Sequence, residues 1–207
     1  MAETQAKFPK FDNAPVAETI LGVQFPALSF TAGHPGWFWK NYLSKDWCKA
    51  VDAPPLPDQF ERFGEQNWTL ASTPLTLTLA LPRLQLTNEA GDRFIQVQNT
   101  RFIYNWQKKQ DAYPSYHQSK TEFLKLLDQF CRFVADAGLG KVSPNQWEVS
   151  YIDQIPKGIL WQSPSEWRRI LPGFFPLGHE VQGLKFENAG EWHYEIEPQK
   201  GRMHVAL

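Results

Sequence analysis

Apolar and polar positions along this chain repeat with two different periods, and the change of period marks out the elements. Val16 to Phe25 (VAETILGVQF), held between Pro15 and Pro26, predicts a strand. A Gly33 to Gly36 turn follows, then a helix over Trp37 to Ala50, then a Pro-rich loop over Asp52 to Asp58. Leu75 to Leu81 (LTLTLAL) is strictly two-periodic and reads as a strand. Leu84 to Thr87, Arg93 to Gln98 and Arg101 to Gln107 predict three more, joined by Asn88-Glu89-Ala90-Gly91 and by Asn99-Thr100. The period then becomes helical from Pro114 to Ala137, where Phe123, Leu127, Phe130 and Val134 mark a buried stripe and Gly138 and Gly140 supply the stop. Trp147 to Ile155 predicts a strand. Ser163-Pro164-Ser165-Glu166 is a capping box opening a short helix to Leu171. Leu184 to Glu187, Trp192 to Glu197 and Arg202 to Leu207 predict three closing strands.

Pairing sharpens this pattern. With Asn99-Thr100 as a two-residue hairpin loop, Val97 faces Phe102, Ile95 faces Tyr104 and Arg93 faces Trp106; carried across the Ala90-Gly91 turn, Leu86 faces Ile95 and Leu84 faces Val97. The aromatics of RFIYNWQK thus share the leucine side and belong to the core, with the long helix as their cover. The opposite face carries Gln85, Thr87, Phe94, Gln96, Gln98, Arg101, Ile103, Asn105 and Gln107. Amides without the usual Lys and Glu suggest a docking surface, and Gln96, Gln98, Arg101 and Asn105 at its centre are the candidate partner-binding residues. A second candidate is an aromatic pocket between sheet and long helix, lined by Tyr104, Trp106, Tyr116 and Tyr151.

The element order runs twice, and LQLTNEAGDRFIQV lies over LKFENAGEWHYEI, which suggests a duplication, with chance similarity of two hairpins as the alternative. The predicted fold is α+β: an antiparallel sheet with helices on one face, in a tandem strand-helix-strands-helix repeat. Residues 13–140 form the first copy. Residues 141–207 form a second, incomplete copy on the same sheet, lacking its final helix. That arrangement leaves a face of Trp192, Tyr194, Ile196, Met203, Val205 and Leu207 uncovered, so either the chain is truncated or a protein partner or second subunit covers the second sheet.

Composition adds mainly exclusions. The 207 residues are 42% hydrophobic with a net charge of -1, so no global basic field draws in phosphates, and a nucleic-acid partner is not favoured. Cys48 and Cys131 stand alone in predicted helices, and no metal-ligand spacing, catalytic motif or cofactor fingerprint appears. The sequence therefore assigns no catalytic residue, no metal and no cofactor, and it leans against an enzyme. With no apolar leader or membrane span, it reads as soluble and cytoplasmic. His193 and His204 fall on neighbouring closing strands near Glu195 and Glu197, a grouping that is more often surface than site. Glu18, Glu148 and Asp153 are acids inside strands, where a core-side carboxylate would need a partner.

NAPVAETILGVQF, RLQLTNEAGDRFIQVQNTRFIYNWQK, YPSY and WEVSYIDQI together resemble a sporadically distributed family of uncharacterised bacterial proteins of about 250 residues, the upper end of ordinary domain size. The resemblance covers most of Asn13 to Ile155. The family's Tyr-Ile-Asn strand motif is Tyr151-Ile152-Asp153 here, a departure that leaves any role of the amide without a carrier. No activity comes with the family. Its patchy distribution implies an accessory or defence-type system, and the layout resembles TATA-binding-protein-like and helix-grip folds. The expectation is a non-enzymatic binding module of such a system; the alternative is a small-ligand protein or enzyme using the aromatic pocket.

Overall fold

The computed structural model describes residues 14–61, 81–109, 113–163, 166–171, 191–197 and 200–206. The described elements run β1 (Val16–Gln24), α1 (His34–Tyr42), β2 (Trp47–Ala53), β3 (Arg83–Asn88), β4 (Arg93–Gln98), β5 (Arg101–Gln107), α2 (Tyr116–Asp136), β6 (Gln146–Asp153), α3 (Trp167–Ile170), β7 (Glu191–Glu197) and β8 (Gly201–Ala206). The fold is α+β. The first six strands form an antiparallel sheet in the order β2-β3-β4-β5-β1-β6, and β7 and β8 form a separate two-stranded sheet. The chain divides into two compact units, residues 1–58 with 77–154 and residues 59–76 with 155–207.

The register predicted for β3, β4 and β5 is the one observed: Leu84 faces Val97, Leu86 faces Ile95, Val97 faces Phe102, Ile95 faces Tyr104 and Arg93 faces Trp106. β1 extends the same face, with Leu21 opposite Tyr104 and Val23 opposite Phe102. α1 and α2 cover that face. Phe130 of α2 sits at its centre, with ring centroids 5.0 Å from Phe102, 5.4 Å from Phe38 of α1 and 5.9 Å from Phe25. RFIYNWQK is buried at six of its positions, from Arg101 to Trp106, and these contacts cover Phe102, Tyr104 and Trp106 on the helix side.

α2 starts at Tyr116, two residues after the Pro114 start that the sequence suggested, and is capped by Ser115, whose hydroxyl accepts from the Gln118 amide. Its end is the predicted one. Gly138, at φ 65°, donates to Ala135 O while Leu139 donates to Val134 O, and both Leu139 and Val134 are buried. This pair of bonds is a Schellman cap with its hydrophobic contact, which needs a residue without a Cβ penalty at the left-handed position.

One prediction changes. The helix expected from Trp37 to Ala50 ends at Tyr42, and Trp47–Ala53 is a strand paired with β3. Leu43 turns extended, Ser44 and Asp46 close a turn, and the Trp39 indole N–H donates to Trp47 O at 2.6 Å. Trp47 is buried, and the sheet offers β2 a full ladder along β3; that tertiary gain overrides the helical pattern. Cys48 therefore lies exposed in a strand, while Cys131 lies in α2 as expected. The strand expected over Leu75 to Leu81 falls largely outside the described residues. So do the repeat's Leu184 to Glu187 strand, His179, Leu207 and the side chains of Trp192 and Arg168. Among the described residues no helix is long and apolar enough to cross a membrane.

Candidate functional site

The face of the six-stranded sheet turned away from the helices is a buried polar network. Gln96, Gln98, Arg101 and Asn105 are each at most 7% exposed. Asn105 donates to Glu18 Oε1 (2.7 Å) and accepts from the Gln96 amide (2.8 Å), whose carbonyl accepts from Gln85 (3.2 Å). Each bond joins neighbouring strands, so the run ties β3, β4, β5 and β1 together. Gln98 reaches out instead: its carbonyl accepts from the Leu56 amide (2.8 Å) and its amide donates to Leu56 O (2.9 Å), as a backbone strand partner would. The Leu56-Pro57 segment is thereby docked on this face.

Arg101 has the densest environment. Its Nη2 donates to Gln24 Oε1 (2.5 Å) and Pro57 O (3.2 Å), and its Nη1 lies 3.5 Å from Glu148 Oε1. Glu148 belongs to β6 and Arg101 to β5, with β1 between them. The carboxylate crosses because Gly22 stands opposite Glu148: a Cβ built on Gly22 would meet Glu148 Oε2 at 3.2 Å and Ile103 at 3.6 Å. A charge this far from water needs its counter-ion, and Gly22 is what lets the two meet.

That pairing fixes which way β6 faces. With Glu148, Ser150 and Ile152 on the network side, alternation puts Trp147, Val149 and Tyr151 on the helix side, in register with Val23, Leu21 and Thr19 of the core. Yet β6 is the last strand of the sheet among the described residues, and these three are 57%, 51% and 45% exposed. Trp147 meets Phe123 of α2 edge-to-face at 6.3 Å. Tyr151 packs with Tyr113 and Tyr116; burial first, then the hydrogen bond to Tyr113, holds its phenol above the ordinary range. Beside it, burial raises the Asp153 carboxyl as well.

The two edges of the sheet differ. β2 carries Lys49 and Asp52, has a register break between Trp47 and Lys49, and runs into Pro54 and Pro55. Those are the usual protections of an edge strand. β6 is less protected: it carries Glu148, which turns in to Arg101, and Asp153 at its end, but it has no Lys, no Pro and no bulge of its own, and its one register irregularity lies in β1, between Val16 and Glu18.

The four residues expected to line an aromatic pocket divide. Tyr104 and Trp106 are closed into the core, Tyr104 donating to Glu122 Oε2 (2.9 Å) and Trp106 meeting Tyr113 at 5.5 Å. Tyr116 and Tyr151 lie at the surface beside β6. A cleft of about 560 Å³ lies elsewhere, lined by residues that include Trp47, Asn88, Arg93, Glu122 and Lys125. Sequence reasoning placed Trp147 and Val149 in a strand but gave them no role. The available signal was an aromatic, alternating strand without Lys or Pro. No protein-family model, curated protein or solved structure matches this chain.

Proposed function

We propose that the protein is a non-enzymatic binding module of an accessory or defence-type assembly, and that β6 is the strand it offers to a partner polypeptide. The observation that carries this reading is the exposed row Trp147, Val149 and Tyr151 on a strand that is an edge among the described residues and has no Lys, Pro or bulge of its own. Strand addition draws its affinity from main-chain bonds and its selectivity from alternate side chains, and Trp and Tyr are the side chains most often found as energetic anchors. The polar network serves this surface from behind, because Arg101, Glu148 and Gly22 fix the register and the facing of β6.

The strand is complementary to itself. Antiparallel pairing of two β6 strands about Val149 sets Trp147 opposite Tyr151, Glu148 opposite Ser150 and Gln146 opposite Ile152, with no like charges facing. The partner strand is therefore assigned to a second copy of this chain. Sedimentation velocity over a concentration series tests it, with wild type expected to dimerise and Val149→Lys to stay monomeric at unchanged thermal stability. A wild type that remains monomeric throughout would remove the self-pairing reading.

A second reading, a small-ligand protein, is favoured by the volume of the cleft beside Arg93 and Glu122, which lies in the range of small-molecule sites. Arg93 there is held by Glu122 (3.0 Å) and Asp92 (3.4 Å).

A further inference from the structure

The smaller sheet carries a second arrangement that the docking reading does not use. β7 and β8 pair so that His193 stands directly opposite His204. Their Nδ1 atoms face each other at 2.6 Å, with the rings 4.7 Å apart and nearly perpendicular. On its other side His204 Nε2 lies 2.5 Å from Glu61 Oε1, and Glu61 Oε2 lies 3.4 Å from the Arg202 guanidinium. All four residues belong to the same compact unit.

Two imidazole nitrogens cannot approach to that distance as two lone pairs; something positive must lie between them. Glu61 fixes the tautomer. A carboxylate against Nε2 places the His204 proton there, which leaves the Nδ1 lone pair pointing at His193. In the metal-free protein His193 supplies the bridging proton. By moving that proton to its own Nε2, His193 presents a second Nδ1 lone pair at the same point. A cross-strand pair of imidazole lone pairs, one ring buttressed by a carboxylate through its remote N–H, is the donor set of a transition-metal site. The buttress is the carboxylate–histidine–metal arrangement.

We infer that His193 Nδ1 and His204 Nδ1 chelate a divalent transition metal of the Zn2+, Cu2+ or Ni2+ type, with Glu61 as the carboxylate that orients and strengthens His204. Imidazole suits these ions, whereas Mg2+ and Ca2+ require oxygen donors. On a tetrahedral zinc with Zn–N bonds of about 2.0–2.1 Å, two nitrogens stand about 3.3 Å apart. The rings need to part by less than an ångström, and both histidines are exposed enough to do so. No cluster of three or more His, Cys, Asp or Glu able to hold a metal is present among the described residues. Among the described residues the ion is held by two protein ligands.

The test is calorimetric titration of Zn2+ into the full chain after chelator dialysis, with circular dichroism to confirm folding. Wild type takes up one ion per chain at this site. His204→Ala and His193→Gln each abolish that event, Glu61→Gln weakens it 10- to 100-fold, and His34→Ala with His117→Ala leaves it unchanged. His193→Gln keeps a polar side chain at an exposed strand position, so it remains informative if His204→Ala fails to fold. Absence of uptake by wild type, uptake unchanged in His193→Gln, or Glu61→Gln indistinguishable from wild type overturns the assignment.

Discussion

Between Glu148 and Arg101 lies Gly22, and the missing side chain there is as informative as the two charges. Arg101 is almost fully buried, so removing its guanidinium strands Glu148, Gln24 and the Pro57 carbonyl together. Arg101→Met is expected to cost about 2–4 kcal/mol, read from urea unfolding with an unchanged m value. Gly22→Ala pushes the Glu148 carboxylate aside, while the added methyl group favours the strand, so total stability is a poor readout. A double-mutant cycle separates the two effects: Glu148→Gln should be costly in the wild-type background and nearly neutral in the Gly22→Ala background, and equal costs would refute the positioning role. Tyr104 offers a pH test. Burial, then the adjacent Glu122, holds its phenol above the ordinary value, while Arg93 opposes them. A folded value raised above the unfolded one means its contribution is complete below pH about 10 and lost as pH rises further. Stability should fall in that alkaline range, and Tyr104→Phe should flatten the fall while costing about 1 kcal/mol at neutral pH.

At the scale of elements, the hairpins of β3, β4 and β5 were legible because two local signals agree. Alternation fixes the faces, and the Asn99-Thr100 turn fixes the register, so the sequence pattern by itself assigns Phe102, Tyr104 and Trp106 to the core. What lies on the reverse face was not legible. Gln96, Gln98, Arg101 and Asn105 read as an exposed amide surface, yet they are buried, in part beneath Leu56 and Pro57, more than forty positions before Gln98 and Arg101. No local pattern announces such a contact. β2 was hidden for a related reason: its strand state depends on the β3 ladder and on Trp39 reaching the Trp47 carbonyl, both tertiary effects. The contact of Glu61 with His204, 143 positions apart, has no sequence signature at all. Within α2, Phe130 meets the rings of Phe25, Phe38 and Phe102, and Phe130→Ala should cost about 3–5 kcal/mol by thermal or urea unfolding. A cost under about 1 kcal/mol would mean that the helix is not the principal cover of the sheet.

For the whole molecule, the account comes down to an asymmetry between the two edges of one sheet. β2 is interrupted by a bulge and runs directly into prolines; β6 is regular, aromatic and largely exposed, with Glu148 turned in to Arg101. Protection against edge pairing is stronger at β2 than at β6. β7 and β8 present a further exposed apolar group, Tyr194, Ile196 and Met203, which is the face that the sequence expected a partner to cover. The β6 claim is the sharper of the two, because a single exposed side chain decides it. Val149→Lys sets a charge at the centre of the proposed strand pair, where two copies would face each other, and as an exposed change it should alter monomer stability by no more than about 0.5 kcal/mol. Sedimentation velocity of wild type and Val149→Lys, side by side over the same concentration series, is the most direct measurement. A concentration-dependent dimer in wild type and a monomer in Val149→Lys is the predicted result; identical sedimentation of the two proteins would contradict the assignment of β6 as the docking strand.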